Sequence, residues 1–353
     1  MITRDDQYNP SLAMQVTMEM VEKDKVFALL NTSGPQSHDA VAPYLIENKV
    51  PSWWPWSGNP KYFYQTRPFL FSGFPGPDQQ QMFAVGESIL SLDPDAKIVL
   101  VDYASTYGED HFEGLQYAVQ KGGQGEVTSI SFDPMTADLT PQAVEAAAAK
   151  PDWVIYSGHE TGCLSLTRAL RQVAGYKGNI FELASPNYTG PNSELLDGMY
   201  KNLPSAKDGT TAPNDPAVIA VKKLLEEEGV RYHSAFSYTM FTIVETFVRA
   251  LEIAGPDLTR EGLVEAIYLA FDGTWTCALC KEFAFIFTPE DRYGDTISQL
   301  ACWSDAKQEY EILGPAREYE TSKGTGVIGN MPGFECQPPS ADHPQGTCPW
   351  KSQ

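Results

Sequence analysis

Lys97-Ile-Val-Leu-Val101 runs into the turn at Tyr107-Gly108, and Asp152-Trp-Val-Ile-Tyr156 runs into the turn at Ser157-Gly158. Each stretch is a short apolar run of strand length that ends in a glycine-containing turn. A helical segment follows in both cases, through Ala118 after the first and from about Leu164 to Val173 after the second. Asn179-Ile-Phe-Glu-Leu183 then repeats the strand after Gly175. Strand, turn and helix alternating in this way imply parallel sheets covered on both faces.

The same rhythm extends toward the N-terminus. Pro10 to Glu22 carries Leu12, Met14, Val16, Met18, Met20 and Val21 on a helical pattern. Asn9-Pro10 supplies a cap followed by proline at the first helical position. Val26-Phe-Ala-Leu-Leu30 reads as a short buried strand, Thr32-Ser33-Gly34-Pro35 as a turn, and Gln36 to Glu47 as a helix. Val50-Pro51-Ser52-Trp53-Trp54 is the next strand. Further on, Phe236 to Ala254 is a long apolar segment broken by Thr239, Thr242, Glu245, Thr246 and Arg249. It is too polar to span a bilayer and reads as a core helix. After Leu313 the pattern fades into a Gly/Pro-rich tail, and there is no repeat of fixed period.

A chain of 353 residues is long enough for two domains with sizeable cores. Its 42% hydrophobic and 20% charged residues fit a soluble globular protein. The net charge of −21 argues against nucleic acid as a partner, because phosphates would be repelled and no Lys/Arg stripe compensates. Met1-Ile2-Thr3-Arg4-Asp5-Asp6 lacks the apolar core of a signal peptide. Of the six cysteines, Cys277 and Cys280 have the spacing of a redox or zinc half-motif. No second pair completes a zinc site, and the motif precedes the strand-like Phe283 to Phe287 instead of opening a helix. A structural bridge or buried thiols is the better reading. Cys336 and Cys348 in the tail fit a disulfide, which favours an oxidising compartment.

Chemistry leaves no trace in the sequence. A phosphate loop, a dinucleotide-binding glycine pattern and a nucleophile elbow are all missing. His159-Glu160-Thr-Gly-Cys163 begins like a zinc-protease helix, but cysteine replaces the second histidine and Gly162 interrupts the helix. The five histidines, His38, His111, His159, His233 and His343, have no ligand spacing. No catalytic residue, metal site or cofactor is therefore expected, and the chain does not read as an enzyme.

Several phrases, in order, resemble the Leu/Ile/Val-binding family of type I periplasmic binding proteins. They are Asp5-Asp6-Gln7-Tyr8-Asn9-Pro10, Glu22-Lys-Asp24-Lys-Val26-Phe-Ala-Leu29, and Ala42-Pro-Tyr-Leu45 leading to Lys49-Val50-Pro51 and Ser57-Gly58. Tyr64-Gln-Thr-Arg67-Pro68, Val101-Asp102-Tyr103 with Tyr107-Gly108, and Asp152 to Gly158 continue the series. Each phrase is degenerate, whereas their order and spacing are specific. The resemblance implies two doubly wound lobes joined by a multi-crossing hinge. It sets lobe one at 1–72 plus 206–296, lobe two at 73–205 plus 297–313, and a tail at 314–353. Family members carry a signal peptide, a first strand and a helix ahead of the Asp-Asp phrase. By that comparison about fifty to seventy mature residues are missing here, and the strand at Val26–Leu30 is expected to have an exposed edge.

The resemblance further implies an extracytoplasmic, periplasmic protein that captures a small amino acid or related carboxylate in the interlobe cleft. It would be a monomer and deliver its ligand to the permease subunits of an ABC transporter; a ligand-sensing receptor domain of the same fold is the alternative. In open α/β sheets ligands sit beyond the carboxyl ends of strands, where helix N-termini favour anions. On this geometry the resemblance implies Ser33, Gly34, Ser37, Pro55, Trp56 and Ser57 as contacts on one side, and Tyr107, His159, Glu160 and Asn187 on the other. Phe236 and Tyr238, at the start of the long helix, are added to the set. Glu160 would face a ligand ammonium. The serines also fit a role as caps and turn formers, Tyr107 a packing role, and Trp53, Trp54 and Trp56 a place in core and cleft wall.

Overall fold

The computed structural model describes residues 1–32, 34–59, 69–75, 78–122, 124–183, 192–203, 207–209, 211–230, 235–280, 285–289, 292–295, 297–314 and 317–318. In chain order the elements begin α1 (Pro10–Glu22), β1 (Leu29–Leu30), α2 (Pro35–Glu47), β2 (Ser52–Trp53), β3 (Leu70–Pro75) and α3 (Asp78–Leu92). They continue β4 (Lys97–Tyr103), α4 (Thr106–Gly122), β5 (Glu126–Phe132), α5 (Thr140–Ala148), β6 (Trp153–Tyr156), α6 (Glu160–Arg168), β7 (Asn179–Glu182) and β8 (Tyr200–Leu203). Last come α7 (Pro216–Glu227), α8 (Ala235–Ala254), α9 (Arg260–Ala270), β9 (Tyr293–Asp295), β10 (Ile297–Ser304), β11 (Glu309–Ile312) and β12 (Arg317–Glu318). Packing sorts the chain into two compact units, Met1–Gln80 with Phe241–Ile297, and Gln81–Met240 with Ser298–Arg317. Residues 207–230, which the resemblance set in lobe one, group by packing with the second unit. The expected tail disulfide between Cys336 and Cys348 lies outside the described residues.

The first unit holds a parallel sheet in the order β1-β2-β3-β9. β1 and β2 are shorter than the apolar runs that encode them, for identifiable reasons. The carbonyls of Val26 and Phe27 are taken by the Arg260 guanidinium at 2.8 and 3.0 Å, so pairing with β2 begins only at Leu29. Val50 donates its N–H back to Leu45 of α2, and Trp54 turns out of the strand with φ +54°. One core joins Ala13 of α1 and Val41, Ala42 and Leu45 of α2 to Leu29, Val50, Leu70 and Tyr293. Asn9 caps α1 by accepting from the N–H groups of Ser11 and Leu12.

A second cluster in this unit is aromatic. Trp53 stacks on Phe271 at 5.7 Å and also meets Phe71, Phe247 and Phe287. Its indole N–H donates to the Ile243 carbonyl of α8 at 3.1 Å, so the long helix packs on the β2 region as a core helix. Trp54 lies flat over Gly73 of β3, where a Cβ would fall 1.8 Å from the indole. Cys277 and Cys280 close a disulfide beside this cluster, in line with the structural reading of that pair.

The second unit is a doubly wound sheet in the order β11-β10-β8-β7-β6-β4-β5, with β12 paired to β10. From β5 to β8 the pairs are parallel, and β10 and β11 add an antiparallel margin that strand-helix alternation alone did not foretell. Side chains along β4 alternate between two cores. Val99, Val101 and Tyr103 join Val154, Tyr156 and Ile180 under α5 and α6. Ile98 and Leu100 join Trp153, Ile155 and Phe181 under α3. The helix read from Leu164 starts earlier, at Glu160, and finishes as a π-helical turn over Ala169–Val173.

Candidate functional site

In the first unit, the candidate residues occupy the turns that leave β1 and β2. Gly34 is the N-cap of α2 and has φ +87° and ψ 142°, a region that side-chain-bearing residues avoid. A Cβ there would stand 2.0 Å from the Tyr8 ring, which covers the glycine. Gly34 offers no capping side chain, and Pro35 offers no N–H. Ser37, in the first turn of α2, is fully buried, and its hydroxyl has no hydrogen-bond partner among the described residues.

The turn after β2 carries Pro55, Trp56 and Ser57. The Trp56 N–H donates to the Thr32 carbonyl at 2.9 Å and its indole N–H to the Asn31 side chain, so the two turns are tied together. Buried Ser57 accepts from the Asn59 N–H at 3.4 Å, and the Asn59 amide donates to Asp39 of α2 at 3.0 Å. Asp78 at the start of α3 lies so close to Gly58 that a Cβ would fall 2.2 Å from its carboxylate. Gly34, Ser37, Pro55, Trp56 and Ser57 thus form one local set. Asn31, Asp39, Asn59 and Asp78, which no motif singled out, complete it. Ser33 lies outside the described residues.

In the second unit, the candidates cluster where β4 and β6 end. Tyr107, in the first turn of α4, is half-buried, and its hydroxyl accepts from Ser157 Oγ at 3.2 Å. His159 is the N-cap of α6 and Glu160 its first residue. The His159 ring lies 5.6 Å from Tyr103, and partial desolvation lowers its pKa. Tyr107, His159 and Glu160 therefore share one strand-end region with Ser157 and Tyr103, both of which the sequence reading passed over as site residues. Tyr238 is buried beside Gly209 in this unit, and burial followed by the Asp208 charge raises its pKa. Asn187 and the side chain of Phe236 lie outside the described residues.

No group of three metal-ligating side chains occurs among the described residues. Nor is any described helix long and apolar enough to cross a membrane. A family model described as periplasmic binding protein matches residues 1–273. The chain belongs to the periplasmic binding protein family. No curated protein matches this sequence.

Among solved structures, the family member is similar to a fatty acid ABC transporter substrate-binding protein from Thermomonospora curvata. The TM-score is 0.76 at 19% identity, over 92% of this chain and 83% of that one. It is also similar to a branched chain amino acid ABC transporter protein from Thermus thermophilus with bound valine, with TM-score 0.74 and 18% identity over 90% and 85% of the chains. A solute binding protein from R. palustris in complex with benzoate gives 0.71 and 16%, over 92% and 87%. These likenesses carry the type I fold, and the family carries a solute-binding role.

Proposed function

We propose that this periplasmic binding protein captures a small amino acid or related carboxylate outside the cytoplasm and hands it to the permease subunits of an ABC transporter, acting as a monomer. The observation that carries the carboxylate is Ser37. A buried hydroxyl without a partner is costly, and this one, which has none among the described residues, sits in the first turn of a helix whose N-cap supplies no side chain. An anion there meets N–H donors, a hydroxyl and the positive end of the helix dipole. Ser57 adds a second hydroxyl on the neighbouring turn. Tyr107, His159 and Glu160 supply the corresponding groups at strand ends of the second unit, with Glu160 the acceptor for a ligand ammonium. The Cys277–Cys280 disulfide supports an oxidising compartment.

The solved relatives narrow the test. Valine is bound by one and benzoate by another, and a third is named for fatty acids. All three chemistries share a carboxylate, and only valine adds an ammonium. Calorimetric titration with L-valine, benzoate and the neutral amide of each separates the two features. The reading expects the acids to bind and the amides to fail. Amides that bind as tightly as their acids would remove the carboxylate, and Glu160→Gln without effect on valine would remove the ammonium contact.

A further inference from the structure

The second unit holds a buried carboxylate–imidazole pair directly behind Tyr107. Asp102, near the end of β4, and His111, within α4, are 4% and 0% exposed. His111 Nδ1 stands 2.6 Å from Asp102 Oδ2, and the other Asp102 oxygen accepts the Tyr103 N–H at 2.6 Å. With both carboxylate oxygens engaged, the imidazole is held in one rotamer. The Tyr107 ring rests on that imidazole, with centroids 4.0 Å apart at 56°, and Ser157 fixes the hydroxyl end. Gly108 permits the arrangement, since a Cβ there would fall 2.2 Å from the Tyr103 carbonyl oxygen.

Apolar side chains at both positions 102 and 111 would fill the same space without desolvating a carboxylate. A hydrogen-bonded pair in their place gives orientation, because a buried hydrogen bond specifies one geometry where apolar packing tolerates several. We propose that Asp102 and His111 are positioning residues that fix the Tyr107 side chain and so set the affinity for the solute. This rests on the reading of Tyr107 as a solute contact.

The test combines a solute-free and a solute-bound measurement on the full chain. Tyrosine ring-carbon NMR, with the Tyr107 signal assigned by its loss in Tyr107→Phe, reports ring placement directly. His111→Asn keeps a donor for Asp102 but removes the ring face, and Asp102→Asn keeps the volume but weakens the anchor. Circular dichroism identifies variants that remain folded, and His111→Gln stands in if His111→Asn does not. Both changes should shift the Tyr107 signal without solute. They should weaken L-valine or benzoate binding by about tenfold. In a Tyr107→Ala background the same changes should cost less than about twofold, since the side chain they position is gone. An unmoved Tyr107 signal, or losses that simply add, overturns the positioning role. A signal that moves in the variants but responds to neither solute in the parent overturns the solute reading of Tyr107, and the inference with it.

Discussion

Ser57 and Gly34 act through different states of the molecule. Ser57→Ala removes a buried hydroxyl from the turn after β2. Under the carboxylate reading, it should weaken solute binding by about 0.5–1.5 kcal/mol if its partner is neutral and up to about 3 if charged. Calorimetry gives the value directly, and binding equal to the parent's would take Ser57 out of the site. Gly34→Ala acts on folding instead. It forces a side chain into a φ of +87° and drives the Cβ into Tyr8, so about 1–3 kcal/mol of stability should be lost, read from the denaturant midpoint. Behind the second unit's strand ends, Lys201 pairs with Glu182 at 3.2 Å, with the carboxylate fully enclosed. Lys201→Met would strand that charge and should cost about 3–5 kcal/mol, whereas adding Glu182→Gln should return part of the loss. Chemical denaturation of the two variants at neutral pH checks the order.

At the scale of elements, α8 links the aromatic core to the disulfide loop. Glu245 on this helix accepts the Ala278 N–H at 3.1 and 3.2 Å, and desolvation raises its pKa. A carboxylate raised in the folded state contributes stability that is present below its unfolded value, near 4.3, and is lost as pH rises through the folded value. Glu245→Gln keeps an acceptor for Ala278 and removes the charge. It should therefore stabilise the protein at pH 7 and have no effect near pH 4; thermal melts at the two pH values decide it.

The elements themselves were legible to differing degrees. α1 could be read from its proline start and apolar spacing, α2 from the turn that precedes it, and β4, β6 and β7 from short apolar runs after or before glycine turns. β5 could not, because Glu126 to Phe132 is mostly exposed and its polar residues carry no run. The truncation of β1 was equally hidden, since Arg260, distant in sequence, takes the carbonyls of Val26 and Phe27. In the candidate site, turn residues such as Gly34 and Ser57 announced themselves by type. Asp39 and Asn59 did not, because only folding ties them together beside those turns, and Asp102 and His111 did not, because only folding pairs them against Tyr107 in the second unit.

Across the whole molecule, charge is the dominant long-range effect. A net charge of −21 means that acidic side chains repel one another at neutral pH. Raising ionic strength from about 20 to about 200 mM shortens the Debye length several-fold, so the melting temperature should rise; a fall would mean that screened ion pairs outweigh the repulsion. The tryptophans among the described residues are divided between the units in a useful way. Trp53, Trp54, Trp56 and Trp275 lie in the first unit, and Trp153 and Trp303, each 1% exposed, lie on opposite faces of the second unit's sheet. Each unit therefore contains its own fluorophores. Replacing Trp153, Trp303 and Trp350 by phenylalanine would darken one half of the protein, and the remaining emission would report the melting of the other half alone.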